Sequence, residues 1–385
     1  MPFARFLLDW LETRWAAPAY GGGVVLGLTL CFWIAAANTM AGWLYALSGI
    51  GVALFLLSAI LPAQALKGIT VKRSPIAPVH AGEALAVTVT VQNTTQHPKG
   101  LLLAIDRVPQ ALGKPVQVAI EAIAPHAAYE WHYRLDTQRR GCYEWDTLGL
   151  RTGVPLGLCW SRRWQKVPAL AWVYPQILPL THCPIADEQG LSMSQQPQPQ
   201  APLPQVGHEG STRSLRSYRW GDPMRLVHWR SSARFNELRI RELERFGGDQ
   251  TCLLGLDTHC NWVSDHFEQA VIVAASLYVY GTHRAIAAQL WSAQWGIVQG
   301  HHQVLELLAQ IAPHQNPEVP NQPVIWLTAD PQRIASLPIG SRYLLWPTGA
   351  NTTSTVKPQS KAIGGITINP AEPLQSQLQR PLQRF

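Results

Sequence analysis

The sequence predicts a multi-domain protein with a transmembrane helical hairpin, then an all-β sandwich and then an α/β domain. Three observations support this order. Two long uncharged apolar stretches stand near the N-terminus, residues of alternating polarity follow them, and strand-like and helix-like segments alternate in the second half. A chain of 385 residues, of which 47% are hydrophobic, is long and apolar enough to form more than one core.

The two apolar stretches are residues 20–37 and 43–61, and neither contains a charged side chain. Each is close to the ~20 residues that a helix needs to cross the hydrocarbon of a bilayer. Only a short turn around Asn38 and Thr39 separates them, so the two helices must run antiparallel. We therefore assign residues 20–61 to a two-helix transmembrane hairpin and residues 1–19 to a cytoplasmic N-terminal segment.

The charges that flank the hairpin predict its orientation. Arg5 and Arg14 precede the first stretch, Lys67, Lys72 and Arg73 follow the second, and the turn has no cation. Because cationic flanks stay in the cytoplasm, we expect a multi-pass protein of the inner (plasma) membrane with the bulk of the chain cytoplasmic. The lack of charged residues within the spans argues against a transport or proton pathway.

Residues 71–185 are predicted to form the β-sandwich. Large apolar residues alternate with small or polar ones, as at Val87, Val89 and Val91 and again at Trp131 and Tyr133. Short alternating runs separated by Gly, Pro and Asn favour antiparallel strands in an immunoglobulin-like sandwich. This segment gathers no catalytic residue types, and we interpret it as a spacer or interaction module.

Two further segments lack any apolar periodicity. Residues 189–206 are rich in Pro and Gln and are predicted to be a linker or a long surface loop. The last segment, residues 347–385, is rich in Thr, Ser, Gln and Pro, and we expect it to be disordered.

Residues 207–245 contain nine arginines and no lysine. Arginine offers a planar fork of donors that can grip a carboxylate, a phosphate or a backbone carbonyl. The same residues include five acids, which are Glu209, Asp222, Glu237, Glu242 and Glu244. Two interpretations stay open: an internal framework of salt bridges, or a contact surface for a peptide or an anionic ligand.

The arginine-rich segment carries a family resemblance. Its runs LRSYRWGDP at 215–223, RLVHWR at 225–230, AR at 233–234 and LRIRE at 238–242 resemble the signature of the bacterial family called domain of unknown function 58. RGCY at 140–143, PLGL at 155–158 and VYP at 173–175 resemble its upstream landmarks. Leu156 stands where the family usually has Phe. The resemblance covers roughly residues 71–346, and the paired N-terminal spans are similar to the family's usual anchor.

The motif residues that we select as structural or interacting are Arg216, Tyr218, Gly221, Asp222, Pro223, Arg225, His228, Trp229, Arg234, Arg241 and Glu242. The Gly-Asp-Pro run is typical of a tight turn, since proline fixes φ and aspartate bonds nearby backbone. We interpret His228 as a structural hydrogen-bonding residue rather than a catalyst.

Residues 207–346 combine the motif with a predicted α/β domain. Strands are predicted over 251–257, 285–291, 323–328 and 343–346, and helices over 265–280 and 303–311. This alternation favours a small, mostly parallel sheet covered by helices. It resembles the von Willebrand factor type A fold, as members of the named family do.

In the type A fold an Asp-x-Ser-x-Ser run after the first strand binds a metal ion. Here the corresponding residues are Asp257, His259 and Asn261, so both serines are replaced. A hard divalent cation prefers several oxygen ligands, and this run offers few. We therefore expect a degenerate site with no metal, and we predict no cofactor.

The sequence also argues against an enzyme. It contains no GxSxG nucleophile elbow, no phosphate-binding Walker loop and no HExxH motif. Asp222, His228, Ser231 and Ser232 lie close together in the sequence, so a cryptic hydrolase stays an alternative. We predict a non-enzyme and assign no catalytic residue.

The resemblance implies a function and a partner. Members of the family are commonly encoded beside MoxR-type AAA+ ATPases, which implies a non-catalytic scaffold that helps to assemble or activate another complex. The membrane is the second expected partner. Binding of nucleic acid or anionic lipid through the arginines is the alternative, although the interleaved acids and the absence of lysine argue against nucleic acid.

Overall fold

The protein was described from a computed structural model, which covers residues 10–194, 212–218, 224, 227–235, 237–243, 251–284, 286–313, 318–347 and 364–381. The chain divides into two compact units, Met1–Gln176 and Ile177–Phe385. The first unit contains the apolar helices and two sheets, and the second contains a six-stranded sheet with helices. The chain is therefore a mixed α/β protein with several sheets.

The N-terminal helices are α1 (Tyr20–Thr39) and α2 (Gly42–Ala65), and a short strand, β1 (Ala17–Pro18), precedes them. Both helices are long and apolar enough to cross a membrane. Their outer faces carry exposed large apolar side chains such as Leu28 in α1 and Leu56 in α2. The predicted hairpin of two apolar helices is confirmed at this level, and α2 extends four residues beyond the predicted end.

The β-rich part of the first unit contains eight further strands. They are β2 (Ile69–Arg73), β3 (Val79–His80), β4 (Ala84–Asn93), β5 (Lys99–Asp106), β6 (Val116–Ile123), β7 (Ala128–Asp136), β8 (Gly141–Thr152) and β9 (Cys159–Tyr174). Strands β2, β4 and β7 form one antiparallel sheet. The order β1-β9-β8-β5-β6 forms the other, which is also antiparallel, with β3 added in parallel to β9.

The alternation in the sequence explains how the two sheets enclose a core. In β4, Leu85, Val87, Val89 and Val91 are all buried, and every residue between them is more exposed. Side chains from both sheets contribute to one apolar cluster, as expected when period-two strands face each other. Two antiparallel sheets around a shared core agree with the predicted sandwich, and its immunoglobulin-like character stays a prediction.

A buried ion pair joins the two sheets inside this core. Arg73 Nη2 lies 2.5 Å from Asp106 Oδ2, and the two side chains are 1% and 0% exposed. Tyr133 donates to Asp106 at 2.6 Å, Trp145 Nε1 donates to it at 3.1 Å, and Arg73 also donates to the carbonyl of Val167. The sequence-based orientation includes Arg73 among the flanking cations. Because the charge of Arg73 is buried and paired with Asp106, Arg73 is not counted among the cations that orient the hairpin.

Both ends of the hairpin are built into the sandwich. Before α1, residues 17 and 18 pair with Trp160 and Cys159 of β9 in antiparallel register. After α2, Leu66 is buried in the apolar core of the sandwich. The first unit therefore has no free linker between its helices and its sheets.

The elements of the second unit are α3 (Pro184–Ser194), β10 (Thr212–Ser217), α4 (Trp229–Phe235), β11 (Arg239–Leu243), β12 (Thr251–Leu256), α5 (Ser264–His283), β13 (Ala287–Ser292), β14 (Gly296–Val298), α6 (His301–Gln310), β15 (Ile325–Thr328), β16 (Arg342–Leu345), β17 (Gly365–Thr367) and α7 (Leu374–Leu378). Its central sheet has the order β14-β13-β12-β15-β16-β17. All pairs in this sheet are parallel except β13 with β14. The predicted mostly parallel sheet is confirmed, whereas its assignment to the type A fold stays a prediction.

Two predicted segment boundaries are wrong. The predicted sandwich ends at residue 185 and the predicted linker begins at residue 189, but β9 ends at Tyr174 and α3 occupies Pro184–Ser194 in the second unit. Ile185 and Gln189 are fully buried there. The polar composition after residue 189 hid the helix, because the predicted linker began inside it. Residues 195–206 lie outside the described residues.

The tail is ordered over residues 364–381, which contradicts the predicted disorder of 347–385 over that range, and residues 348–363 and 382–385 lie outside the described residues. Strand β17 pairs in parallel with β16, and Ile368 and Leu378 are fully buried. The side-chain amide of Gln377 donates to the carbonyls of Asn369 and Glu372. A three-residue edge strand is held largely by backbone hydrogen bonds, which leave little trace in hydrophobic periodicity.

Candidate functional site

The arginine-rich motif forms a two-stranded sheet with a short helix between its strands. Strands β10 and β11 pair antiparallel, with Arg216 opposite Ile240 and Leu215 opposite Arg241. Tyr218 follows β10, where its N–H donates to the carbonyl of Leu238 at 2.8 Å. The motif residues selected from the sequence that lie on these strands are Arg216, Arg241 and Glu242, while Gly221, Asp222, Pro223 and Arg225 lie outside the described residues.

His228 caps the start of α4. Its Nδ1 lies 2.7 Å from the hydroxyl oxygen of Ser231 and accepts the backbone N–H of Ser231 at 3.2 Å. The hydroxyl of Ser232 donates to the carbonyl of His228 at 3.1 Å and accepts the N–H of Arg239 at 2.9 Å. The N–H of His228 donates to the carbonyl of Arg239. These bonds satisfy free backbone donors at the helix start, as helix-capping side chains do, and they fix α4 on β11.

Helix α4 and the residues on either side of it carry exposed side chains, which we name the Trp229 patch. Trp229 is 62% exposed, Met224 and Leu238 are also exposed, and the arginines at 230 and 234 are exposed on α4. Tryptophan and arginine are enriched among the residues that contribute most to protein–protein binding. The segment therefore combines a hydrogen-bonded framework around His228 with exposed side chains, and both the salt-bridge framework and the contact surface stay predictions.

A second cluster lies at the carboxyl end of the central strand β12, where Asp257 is buried. Asp257 Oδ1 lies 2.8 Å from Nη1 of Arg333 and accepts the N–H of His259 at 3.1 Å. Asp257 Oδ2 accepts the hydroxyl of Thr328 at 2.7 Å. Arg333 comes from the 3₁₀ helix Pro331–Ser336 that follows β15. Both carboxylate oxygens are thus occupied by donors from the protein itself.

Cys260 and Trp262 complete this strand-end cluster. Trp262 Nε1 donates to the carbonyl of Asp257 at 2.6 Å, and the N–H of Ala329 donates to the sulfur of Cys260 at 3.4 Å. Burial, together with the negative charge of Asp257, raises the pKa of the Cys260 thiol to about 11. A thiol with such a pKa stays protonated at neutral pH, and the thiolate is the reactive form. The Cys260 thiol is therefore not in its nucleophilic form at neutral pH.

The donor set does not fit a divalent cation. Asp257 is paired with a guanidinium, and the side chains of His259 and Asn261 are exposed rather than directed together by the fold. Among the residues that the structure describes, no group of three or more His, Cys, Asp or Glu side chains could hold a metal ion. Since hard cations require several convergent oxygens, this geometry supports the metal-free interpretation, which stays a prediction.

Arg333 is the residue that sequence reasoning missed at this site. It lies 76 positions from Asp257 along the chain and belongs to no recognised motif. The available signal was an acid at the end of an apolar strand, because a buried carboxylate requires a compensating charge or several hydrogen bonds. Several arginines and lysines could have supplied that charge, so only the fold identifies which one does.

Comparisons with known proteins add little to these observations. No protein-family model matches the chain. The chain is 28% identical over 208 residues to the uncharacterized protein YeaD of Bacillus subtilis (strain 168). The aligned region covers 52% of this chain. The match covers 49% of YeaD, so the chain spans about half the length of the curated relative it matches.

Solved structures give only distant similarities. The CARDB domain of the PF1109 protein from Pyrococcus furiosus is 10% identical, with a TM-score of 0.19, over 26% of this chain and 94% of that domain. BslA, a bacterial hydrophobin, is 13% identical, with a TM-score of 0.19, over 29% of this chain and 98% of its own. A beta-glucosidase from Listeria innocua is 16% identical, with a TM-score of 0.17, over 27% of this chain and 16% of its own. Similarities this weak carry no argument about fold or function.

Proposed function

We propose that this protein is a non-catalytic, membrane-anchored scaffold at the cytoplasmic face of a bacterial plasma membrane. Its proposed partner is a MoxR-type AAA+ ATPase, with which it assembles or activates another complex. The family assignment, the type A character of the second unit and the ATPase partner all come from the sequence resemblance. The immunoglobulin-like assignment of the sandwich comes from its strand pattern.

One observation carries the proposal, namely the Trp229 patch. Trp229 is 62% exposed on a helix fixed by the His228 cap, and tryptophan and arginine are enriched among the residues that contribute most to protein–protein binding. The cap is made by His228, Ser231 and Ser232, and it leaves the indole of Trp229 exposed. A rigid helix that displays an indole and guanidinium groups is suited to protein binding, since preorganised anchors lose little entropy on association.

The hydrogen bonds around His228 support a non-catalytic role. Its Nδ1 faces both the amide and the hydroxyl of Ser231, and Ser232 is buried between His228 and Arg239. A general base must reach the proton that it removes from a reacting group. Nδ1 lies within that reach of the Ser231 hydroxyl, and it also accepts the Ser231 amide as a helix cap, so the role we propose for His228 is structural.

The cytoplasmic orientation rests on fewer charges than the sequence alone indicates. Arg14, Lys67 and Lys72 remain exposed beside the ends of the hairpin after Arg73 is removed from the argument. The turn at Asn38 and Thr39 still has no cation. The bias keeps its sign, and both helix ends with the sandwich are proposed to face the cytoplasm.

A photo-crosslinking experiment tests the proposed partner. A photoreactive amino acid is encoded at Trp229 in the full chain, the cells are irradiated under conditions that trap ATPases in the nucleotide-bound state, and adducts are identified by mass spectrometry. The matched control is Ile339, which is exposed on the second unit and lies outside the patch. An AAA+ adduct from position 229 and not from 339 supports the proposal. No AAA+ adduct from 229, in cells that contain such an ATPase, contradicts it.

The exposed arginines of α4 favour one second candidate, the binding of an anionic ligand. Arg230 and Arg234 lie four residues apart on the helix, and both are exposed. Phosphate contacts made by such side chains weaken steeply as salt rises. Binding of single-stranded nucleic acid to the detergent-purified protein, measured across a salt series, would show that dependence and would be lost in R230Q/R234Q. Binding that is absent or insensitive to salt removes this candidate.

A further inference from the structure

The loop between β8 and β9 is apolar and exposed. Residues 153–158 read GVPLGL, and no residue from 153 to 160 is charged. Pro155, Leu156 and Gly157 are exposed, and Leu156 is 45% accessible. We name residues 153–158 the apolar tip. An aqueous hairpin loop ordinarily carries polar residues, so this composition requires an explanation.

The register of β1 on β9 fixes where the tip points. Residues 17 and 18 pair with Trp160 and Cys159, and the N–H of Ala19 donates to the carbonyl of Leu158 at 2.8 Å. Because the pairing is antiparallel, moving backwards along β9 toward the tip follows the direction in which the chain enters α1. The tip therefore extends alongside the start of the first apolar helix.

Close contact confirms this placement at the level of single atoms. A Cβ atom at Gly22 would collide with the carbonyl oxygen of Leu158, so only glycine fits there. A Cβ atom at Gly21 would lie 3.9 Å from Cδ2 of Leu158. An α-helix rises about 1.5 Å per residue, so Leu158 lies beside the first turn of α1. That turn is where a membrane-spanning helix passes from the headgroup layer into hydrocarbon.

Other exposed apolar side chains collect at the same end of the sandwich. The hydroxyl of Thr152, at the end of β8, donates to the carbonyl of Leu101, whose side chain is 68% exposed. The carbonyl of Trp15 accepts the hydroxyl of Ser161 at 2.9 Å, and the indole of Trp15 is exposed. Tryptophan is enriched at the boundary between lipid headgroups and hydrocarbon. Transfer of a leucine side chain from water to lipid at this boundary is favourable, because it removes apolar surface from water.

An arginine clamp prevents the tip from moving away from α1. The carboxylate of Glu12 is buried, with Arg151 Nε at 2.5 Å and Arg162 Nη2 at 2.8 Å. Arg163 donates to the carbonyl of Thr13 at 2.5 Å. The clamp joins the segment before α1 to both β8 and β9, so the depth of the tip is set by the depth of the helix.

We propose that the apolar tip, with Leu101 and Trp15, is a lipid-binding element that lies in the interfacial layer of the membrane beside the first turn of α1. Its partner is a phospholipid surface. The inference rests on the proposed membrane-spanning role of the hairpin. It adds a second membrane contact, made by the sandwich, which fixes the face that this domain turns toward the bilayer.

Depth-resolved fluorescence quenching in nanodiscs tests the proposal. The purified full chain carries one encoded environment-sensitive fluorescent amino acid and is placed in nanodiscs of phosphatidylcholine and phosphatidylglycerol, with a nitroxide near the top of the acyl chain. The reporter occupies Leu156, the mid-helix position Leu28, or Lys114. Lys114 is the matched control, since it is exposed in the loop after β5, whose end at Asp106 leads away from the tip.

We expect a blue-shifted, quenched emission at Leu156 and at Leu28, and neither effect at Lys114. If the reporter at Leu28 is quenched but the reporter at Leu156 shows neither a blue shift nor quenching, the tip proposal is overturned and the membrane hairpin is left intact. No quenching at Leu28 contradicts the membrane hairpin itself, and the tip proposal falls with it. Because the nitroxide is attached to the lipid, quenching at Leu156 reports contact with lipid rather than with a protein partner.

Discussion

Removal of Asp106 is expected to destabilise the first unit more than any surface substitution. In D106A the guanidinium of Arg73 stays buried at 1% exposure without its counter-ion. Tyr133 and Trp145 lose their acceptor at the same time. Burial, with the hydrogen bond to Asp106 next in importance, raises the pKa of Tyr133, so its hydroxyl stays a protonated donor.

The magnitude follows from the burial of both partners. Removing one partner of a buried ion pair costs about 3–5 kcal/mol, and each orphaned buried donor adds to that penalty. For a unit of this size, a loss of about 1 kcal/mol lowers the melting temperature by roughly 2–4 °C. We therefore expect D106A to melt at least about 6 °C below the parent in the same detergent.

The assay is thermal unfolding of the detergent-purified full chain, followed by tryptophan fluorescence. D146A is the matched control. Asp146 is an exposed acid on β8, two residues before Leu148, which pairs with Asp106. Its removal should change the free energy of unfolding by less than about 0.5 kcal/mol. The double variant R73M/D106L should recover most of the loss, because an apolar pair removes both charges. A melting temperature for D106A within the error of D146A would refute the reasoning.

Further predictions concern the second unit. R333A leaves Asp257 buried without its cation and should cost about 3 kcal/mol in thermal unfolding, whereas added Mg²⁺ should leave the parent's melting temperature unchanged; a rise with Mg²⁺ would indicate a metal site. Burial raises the pKa of Cys252 to about 12 and of Cys260 to about 11, above the ordinary thiol value of 9.0. Because the folded state binds these thiol protons more tightly than the unfolded state, the stabilisation from the protonated thiols is complete below pH 9 and is lost as the pH rises through 11 to 12. The melting temperature should fall as the pH rises from 9 to 12, and it should fall less in C260A. W229A should melt like the parent, because the side chain is exposed, while it loses the co-purifying ATPase; a large drop in melting temperature would indicate that Trp229 packs internally.

Local pattern was enough to predict the elements whose residues share one environment along the chain. The hairpin is uniformly apolar, and β4 alternates between buried and exposed residues from Leu85 to Val91, so composition and periodicity reveal them directly. The parallel sheet of the second unit also follows from alternating strand and helix patterns. In each case the signal lies within the element itself.

The remaining features depend on pairs far apart in the sequence. Arg73 looks like a membrane-flanking cation until Asp106 is placed opposite it, and Glu12 looks like an isolated acid until Arg162, 150 positions away, reaches it. The order of the tail could not be predicted for the same reason, since β17 is identified by its pairing with β16 and not by its composition. At the candidate site the sequence identified Asp257 but not Arg333, because buried charge selects its partner only in three dimensions.

The way both helix ends enter the sandwich has a mechanical consequence. A tether of flexible residues would let the domain drift over a large radius and would absorb a pull by stretching. Here β1 lies on β9 and Leu66 lies in the core, so a load applied to the sandwich is transmitted to the helices as tilt. In the proposed membrane-anchored state, a partner that pulls on this domain would therefore act directly on the tilt of the helices in the bilayer.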